Sequence, residues 1–101
     1  MSLKIIEPWE EIINPSAMEA QLKKELSINH PLYEKSVKAI AKRGDCDDVL
    51  FENLDYEEFY VVHLTWSSSD FQGKYPKFET FANIENANMK MQSDNAEFEV
   101  Y

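Results

Sequence analysis

The sequence predicts an α+β fold: an N-terminal helix, a three-stranded antiparallel meander and a C-terminal helix, in two layers that form a single domain over residues 1–101. Three observations carry that prediction. A capping pattern followed by a four-residue apolar repeat marks residues 16–27 as helix. Between residues 37 and 66, runs of β-branched and aromatic residues are separated by polar turns. The chain has 101 residues, 44% of them hydrophobic and 13% aromatic, which is enough for one core and too few for two.

Residues 1–14 read as an arm. In "LKIIEPWEEII", Pro8 forbids one continuous helix, so an extended segment is expected to pin Trp9 and Ile12 onto the core. The helix follows: Asn14 or Ser16 caps it, Pro15 suits its first turn, and Met18, Leu22 and Leu26 form its buried stripe. Glu19 and Lys23 are expected on its wet side as an i, i+4 pair. "NHPLYEK" breaks the chain, since Pro31 disfavours helix at His30. "SVKAIAKR" fits both periods and is read as the first strand. "RGDCDD" is a turn, "DVLFEN" the second strand, "LDYE" a turn, and "EFYVVHLTW" the third strand. After the loop "SSSDFQGKYP", the segment "KFETFANIENANMKM" reads as a helix. It turns Phe78, Phe81, Ile84 and Met89 or Met91 inward. Residues 92–101 read as an acidic tail docked through Phe98 and Tyr101.

The demand for one dry face fixes the register. Pairing Phe51 with Tyr60 and Val49 with Val62 gathers Val49, Phe51, Tyr60, Val62, Leu64 and Trp66 on one face. Placing Ala39 beside Phe51 and Ala41 beside Val49 extends it, and both helices are expected to cover it. The second face then carries the rows Lys38–Glu52–Phe59, Ile40–Leu50–Val61 and Lys42–Asp48–His63. It is half apolar, so the arm, a second copy or a partner is expected to lie on it.

Composition narrows the function. Ten basic residues stand against nineteen acidic ones, a formal net charge of −9. That balance opposes binding to nucleic acid, whose phosphates demand a positive surface, and docking on anionic lipid. It permits a basic protein partner, and the half-apolar second face leaves a homodimer open. The single cysteine, Cys46, fits a reducing compartment. With no apolar run long enough for a membrane span and no signal-peptide core, a cytoplasmic protein is expected.

The sharpest chemical constellation is His63 beside Asp48, a carboxylate that could orient an imidazole as a general base. Lys42 and Thr65 complete the catalytic candidates. The competing reading is a partly buried histidine satisfied by its neighbour on a mixed sheet face. Cys46 lies in the acidic turn "GDCDD", where nearby carboxylates suppress the thiolate. A metal site from His30, His63, Asp45, Asp47 and Asp48 lacks the spacing of a calcium loop or a zinc motif. No cofactor and no metal are expected. Trp66, Tyr75, Pro76 and Phe78 could line a ligand cleft or close the end of the core.

The strings "HPLYEKSVKAIAKRGDCDDVLF" and "VVHLTW", followed by "YP", resemble a family of small uncharacterised bacterial proteins. The resemblance runs from His30, Pro31 and Leu32 through Asp45, Asp47–Phe51 and Val61–Trp66 to Pro76 and Phe81. It implies a strand for "SVKAIAKR" and supplies no catalytic residue.

The expected role is a non-enzymatic protein-interaction module, immunity- or antitoxin-like by analogy of size and acidity. Its interaction face would be formed by Ile40, Leu50, Phe59, Val61 and His63. The alternative is a small ligand-binding domain or enzyme that uses His63 and Asp48.

Overall fold

The computed structural model describes residues 3–68 and 72–98. They form five strands and two helices in the order β1 (Trp9–Glu11), α1 (Pro15–Glu25), β2 (Val37–Arg43), β3 (Asp48–Asn53), β4 (Phe59–His63), β5 (Lys77–Phe81) and α2 (Ile84–Phe98). The strands make one antiparallel sheet in sequence order, β1-β2-β3-β4-β5. The fold is α+β, but the expected three-stranded sheet is corrected to five strands.

β5 contains two apolar residues three positions apart, Phe78 and Phe81, and Trp9 of β1 stands three positions before Ile12, just past that strand's end. In a helix that spacing places two side chains on one face, whereas in a strand it places them on opposite faces. Phe78 sits opposite Val62 in the register and Phe81 opposite Phe59. Phe78 joins the cluster around Phe51 and Tyr60, while Phe81 joins the cluster around Leu50 and Val61. Trp9 and Ile12 divide in the same way. The expected helix over 77–91 therefore begins only at Ile84, where the Asn83 side chain accepts the Asn86 N–H at 2.9 Å and caps it. Met91 is buried and Met89 is exposed. Residues 92–98, read from sequence as tail, are the last turns of this helix, and Tyr101 lies outside the described residues.

The two-layer arrangement is corrected as well. Leu22, with Met18 and Leu26 beside it, brings α1 onto Val49, Phe51, Tyr60 and Val62. Ala87 and Met91 bring α2 onto the other face, over Leu50, Phe59 and Val61. The sheet is thus sandwiched between the helices. The physical reason is the apolar content of that second face: burying it against the chain's own helix removes a patch that water would penalise.

The β3–β4 register coincides with the expected one, Asp48 opposite His63 through Glu52 opposite Phe59. The β2–β3 register does not hold throughout. Ala39 faces Phe51 as expected, but a bulge at Ile40 shifts Ala41 onto Leu50 and Lys42 onto Val49. One extra residue reverses the facing of everything beyond it, so Ala41 is buried with Leu50 and Val61 instead of with Val49.

Candidate functional site

His63 and Asp48 meet, as their register requires. His63 Nδ1 contacts the Asp48 carboxylate across the β3–β4 ladder. The imidazole side chain is 45% exposed and Asp48 is 11% exposed. Neither residue lines any of the three main grooves of the described residues.

The remaining catalytic candidates are engaged elsewhere. The bulge moves Lys42 away from Asp48, and its Nζ reaches Glu10 on β1 at 3.5 Å. Thr65 gives its backbone N–H and its hydroxyl to Glu25 Oε1, at 2.8 and 2.9 Å. Cys46 is an exposed residue, yet partial desolvation of its sulfur pushes the thiol up, and the charges of Asp48 and Asp45 add to that. This is the reverse of what activates a nucleophile.

Glu25 organises this end of the molecule, and sequence periodicity gave no hint of it. It is 1% exposed. Oε2 accepts Gln21 Nε2 at 2.8 Å and the Trp66 N–H at 3.0 Å, so with Thr65 the carboxylate takes four hydrogen bonds, two on each oxygen. That uses all of its acceptor sites. The clasp holds Trp66 at φ +59°, a conformation costly for a bulky residue, while its indole N–H donates to Asp47 Oδ1 at 3.0 Å. Trp66 is half-exposed and does not extend the core as expected.

His30 is likewise structural. Its Nδ1 accepts the Leu32 N–H at 3.0 Å, which leaves Nε2 to donate to the Pro76 carbonyl at 2.8 Å. Gly73, at φ +76°, packs against Asn29, the residue before His30, and a Cβ there would stand 2.6 Å from the Asn29 backbone. The "HPL" string thus ties the turn after α1 to the residues leading into β5. Among the described residues, no group of three or more His, Cys, Asp or Glu side chains is gathered for a metal ion.

The expected interaction face is largely internal. Leu50, Phe59 and Val61 are 1%, 3% and 0% exposed beneath α2 and the N-terminal segment, and Ile40 is half-buried among Leu3, Ile5 and Ile84. Only His63 of the five is exposed. The cover is fastened by polar contacts. The Trp9 indole N–H donates to buried Asp94 Oδ2 at 2.8 Å, and Lys90 and Arg43 flank Oδ1 at 3.1 and 3.6 Å. The Lys4 N–H donates to Asn88 Oδ1 at 2.8 Å.

The opposite end presents different chemistry. The β3–β4 hairpin tip exposes Leu54 and Tyr56, and Tyr33 is exposed nearby. Asp55 and Glu57 are exposed beside them. The tip is firmly built. Asn53 Oδ1 accepts the N–H groups of Asp55 and Tyr56, Asn53 Nδ2 donates to the Tyr60 hydroxyl, and the Leu54 N–H donates to Ser36 O at 2.8 Å. Tyr60 also contacts Glu58; burial first, and that carboxylate second, push its phenol up to about 12. Leu54 and Tyr33 border a groove of about 790 Å³ against α1, with Leu22, Leu26 and Val37 in its wall. The usable signal in the sequence was the run "LDYEE", two large apolar residues among carboxylates in a turn.

Comparison with family models, with curated proteins and with solved structures finds no match.

Proposed function

We propose that the protein is a non-enzymatic interaction module for a basic protein, acting in the manner of bacterial immunity or antitoxin proteins. The observation that carries this reading is the β3–β4 tip. Leu54 and Tyr56 are large apolar side chains held in solvent on a backbone fixed by Asn53, with Asp55 and Glu57 around them. Aromatic anchors on a pre-organised loop lose little entropy on binding, and a carboxylate rim steers a cationic partner. The net charge of −9 favours the same class of partner. A catalytic reading gains less support, because His63 is exposed outside the main grooves with Asp48 buried beside it, while Thr65 and Lys42 serve other partners.

The test is affinity capture from the native host, followed by rebinding of the purified partner to wild type and to Tyr56→Ala. The expected result is a basic protein whose affinity falls with salt and drops about tenfold or more in the variant. Binding indifferent to Tyr56, or a chemical turnover abolished by His63→Gln, would overturn the proposal.

A further inference from the structure

The first strand of the sheet is shorter than the one it covers. β1 pairs with Ala41, Lys42 and Arg43 alone. Among the described residues, Val37–Ile40 of β2 have β3 on one side and no strand on the other. The bulge at Ile40 marks where the cover ends. The uncovered edge is already engaged by an acceptor: the Ala39 N–H donates to Glu19 Oε2 at 3.0 Å. A carboxylate from α1 therefore stands where the carbonyl of a neighbouring strand would be.

Grooves flank this edge on both sides. The groove of about 790 Å³ lies toward α1 and includes Ser36 and Val37, with Ala20 and Leu26 opposite. A second, of about 400 Å³, lies toward α2 and includes Lys38, Ala39 and Ile40, with Ile5 and Ile84 opposite and with Ile12 and Pro15, where the chain turns from β1 into α1, at its border. Side chains of a strand alternate between its two faces. A segment laid along Val37–Ile40 would displace the Glu19 carboxylate from the Ala39 N–H, pair its own backbone with the edge and send alternate residues into one groove and the other.

Resting on the reading above that the partner is a basic protein, we infer that an extended segment of that partner adds a strand to β2 at Val37–Ile40, in line with β1. Direction and charge follow from the placement. β1 is antiparallel to β2, with Glu11 opposite Ala41. A segment continuing that line passes Ile40 first and ends beside Val37. Its C-terminal end then approaches Leu54, whose N–H is bonded to Ser36 O, and the carboxylates of Asp55 and Glu57. Glu11 and Glu19 border the edge itself, whereas Lys23 and Lys35 lie in the α1 groove. The segment therefore carries apolar or hydroxyl side chains in its middle and arginine or lysine at its C-terminal end. Backbone pairing supplies affinity, and the two grooves supply selectivity.

The probe is a capped ten-residue peptide of alternating valine and threonine with two arginines at its C-terminal end, titrated into the ¹⁵N-labelled full chain. Its reversed sequence is the control. Expected are amide shifts centred on Val37–Ile40, cross-strand contacts between peptide and β2 α-protons, and binding about tenfold tighter than the reversed peptide. Ala20→Trp and Ser16→Trp fill the α1 groove from exposed helix positions, and each is expected to weaken binding while leaving the unfolding midpoint unchanged. Absence of binding at millimolar peptide overturns the inference. Shifts confined to residues 54–58, or equal affinity for both peptide directions, overturn it too. A native partner that responds to Tyr56→Ala but not to Ala20→Trp refutes strand addition and leaves the proposed function standing. A native partner indifferent to Tyr56→Ala refutes the function itself.

Discussion

The two ends of the sheet use similar residue types for opposite purposes. At the His63 end, the groups that look chemical are occupied by partners within the chain, most of them backbone groups. Glu25 clasps Thr65 and Trp66, His30 bridges Leu32 and Pro76, and Asp48 contacts His63. At the hairpin end, one polar side chain, Asn53, satisfies the turn. Leu54, Tyr56, Asp55 and Glu57 remain in water. A side chain spent on internal hydrogen bonds is not available for recognition, so the less conspicuous end is the better candidate for contact with another molecule.

The contrast breaks most sharply at Glu25. Glu25→Ala removes a buried acceptor that serves four donors, and is expected to cost about 3 kcal/mol of unfolding free energy, read from urea denaturation. Partner binding by the folded fraction should be unchanged, because the hairpin tip shares no hydrogen bond with the clasp. A loss of stability under about 1 kcal/mol would mean that solvent replaces the carboxylate readily and that this end is less structural than its geometry implies.

Asn53→Ala tests the other side. It removes the acceptor for two backbone N–H groups and a donor to Tyr60, at a cost of about 2 kcal/mol. It should also lower partner affinity, since the tip would no longer be pre-organised. Lost stability with unchanged affinity would show that the rigidity of the tip is irrelevant to binding.

Legibility in the sequence follows the same division. Alternation fixed the β3–β4 register, because a one-residue slip would have mixed Val49 and Phe51 with Leu50 and Glu52. Phe78 with Phe81 was misleading because a spacing of three suits one helix face or two sheet faces equally, whereas the extended segment that pins Trp9 and Ile12 was legible from Pro8 and only its pairing with β2 was not. The Ile40 bulge has no signature in "VKAIAKR", since small and aliphatic residues are acceptable on either face. Glu19 reads as a wet helix position and no motif marks Glu25; their partners, Ala39 and Thr65, are distant in sequence. A helical pattern cannot register such contacts. His63 beside Asp48 was legible because it depended on register alone.

Alkaline titration adds a smaller, signed test of the hairpin base. With its phenol pushed up to about 12 by burial and by Glu58, Tyr60 favours the neutral form in the fold relative to an unfolded tyrosine near 10. Its contribution is complete below about pH 10 and is lost as pH rises through about 12. Unfolding midpoints should therefore fall across that interval more steeply in wild type than in Tyr60→Phe, which removes the titrating group. Parallel curves would place the phenol in ordinary solvent and contradict the buried base of the hairpin.

His63 carries the smallest expected effect and the sharpest meaning. Its ring is nearly half exposed, so its pairing with Asp48 is screened by water. His63→Gln keeps a hydrogen-bonding side chain at the same point of β4 and should change stability by less than about 1 kcal/mol. It should leave partner affinity unaltered, because the residue stands at the far end of the β3–β4 ladder from Leu54 and Tyr56. Urea midpoints at low and high salt measure the first, and rebinding of the purified partner measures the second. A large stability loss would identify the pair as structural after all. A large affinity loss would move the binding surface onto the end closed by polar contacts, reversing the assignment of the two ends.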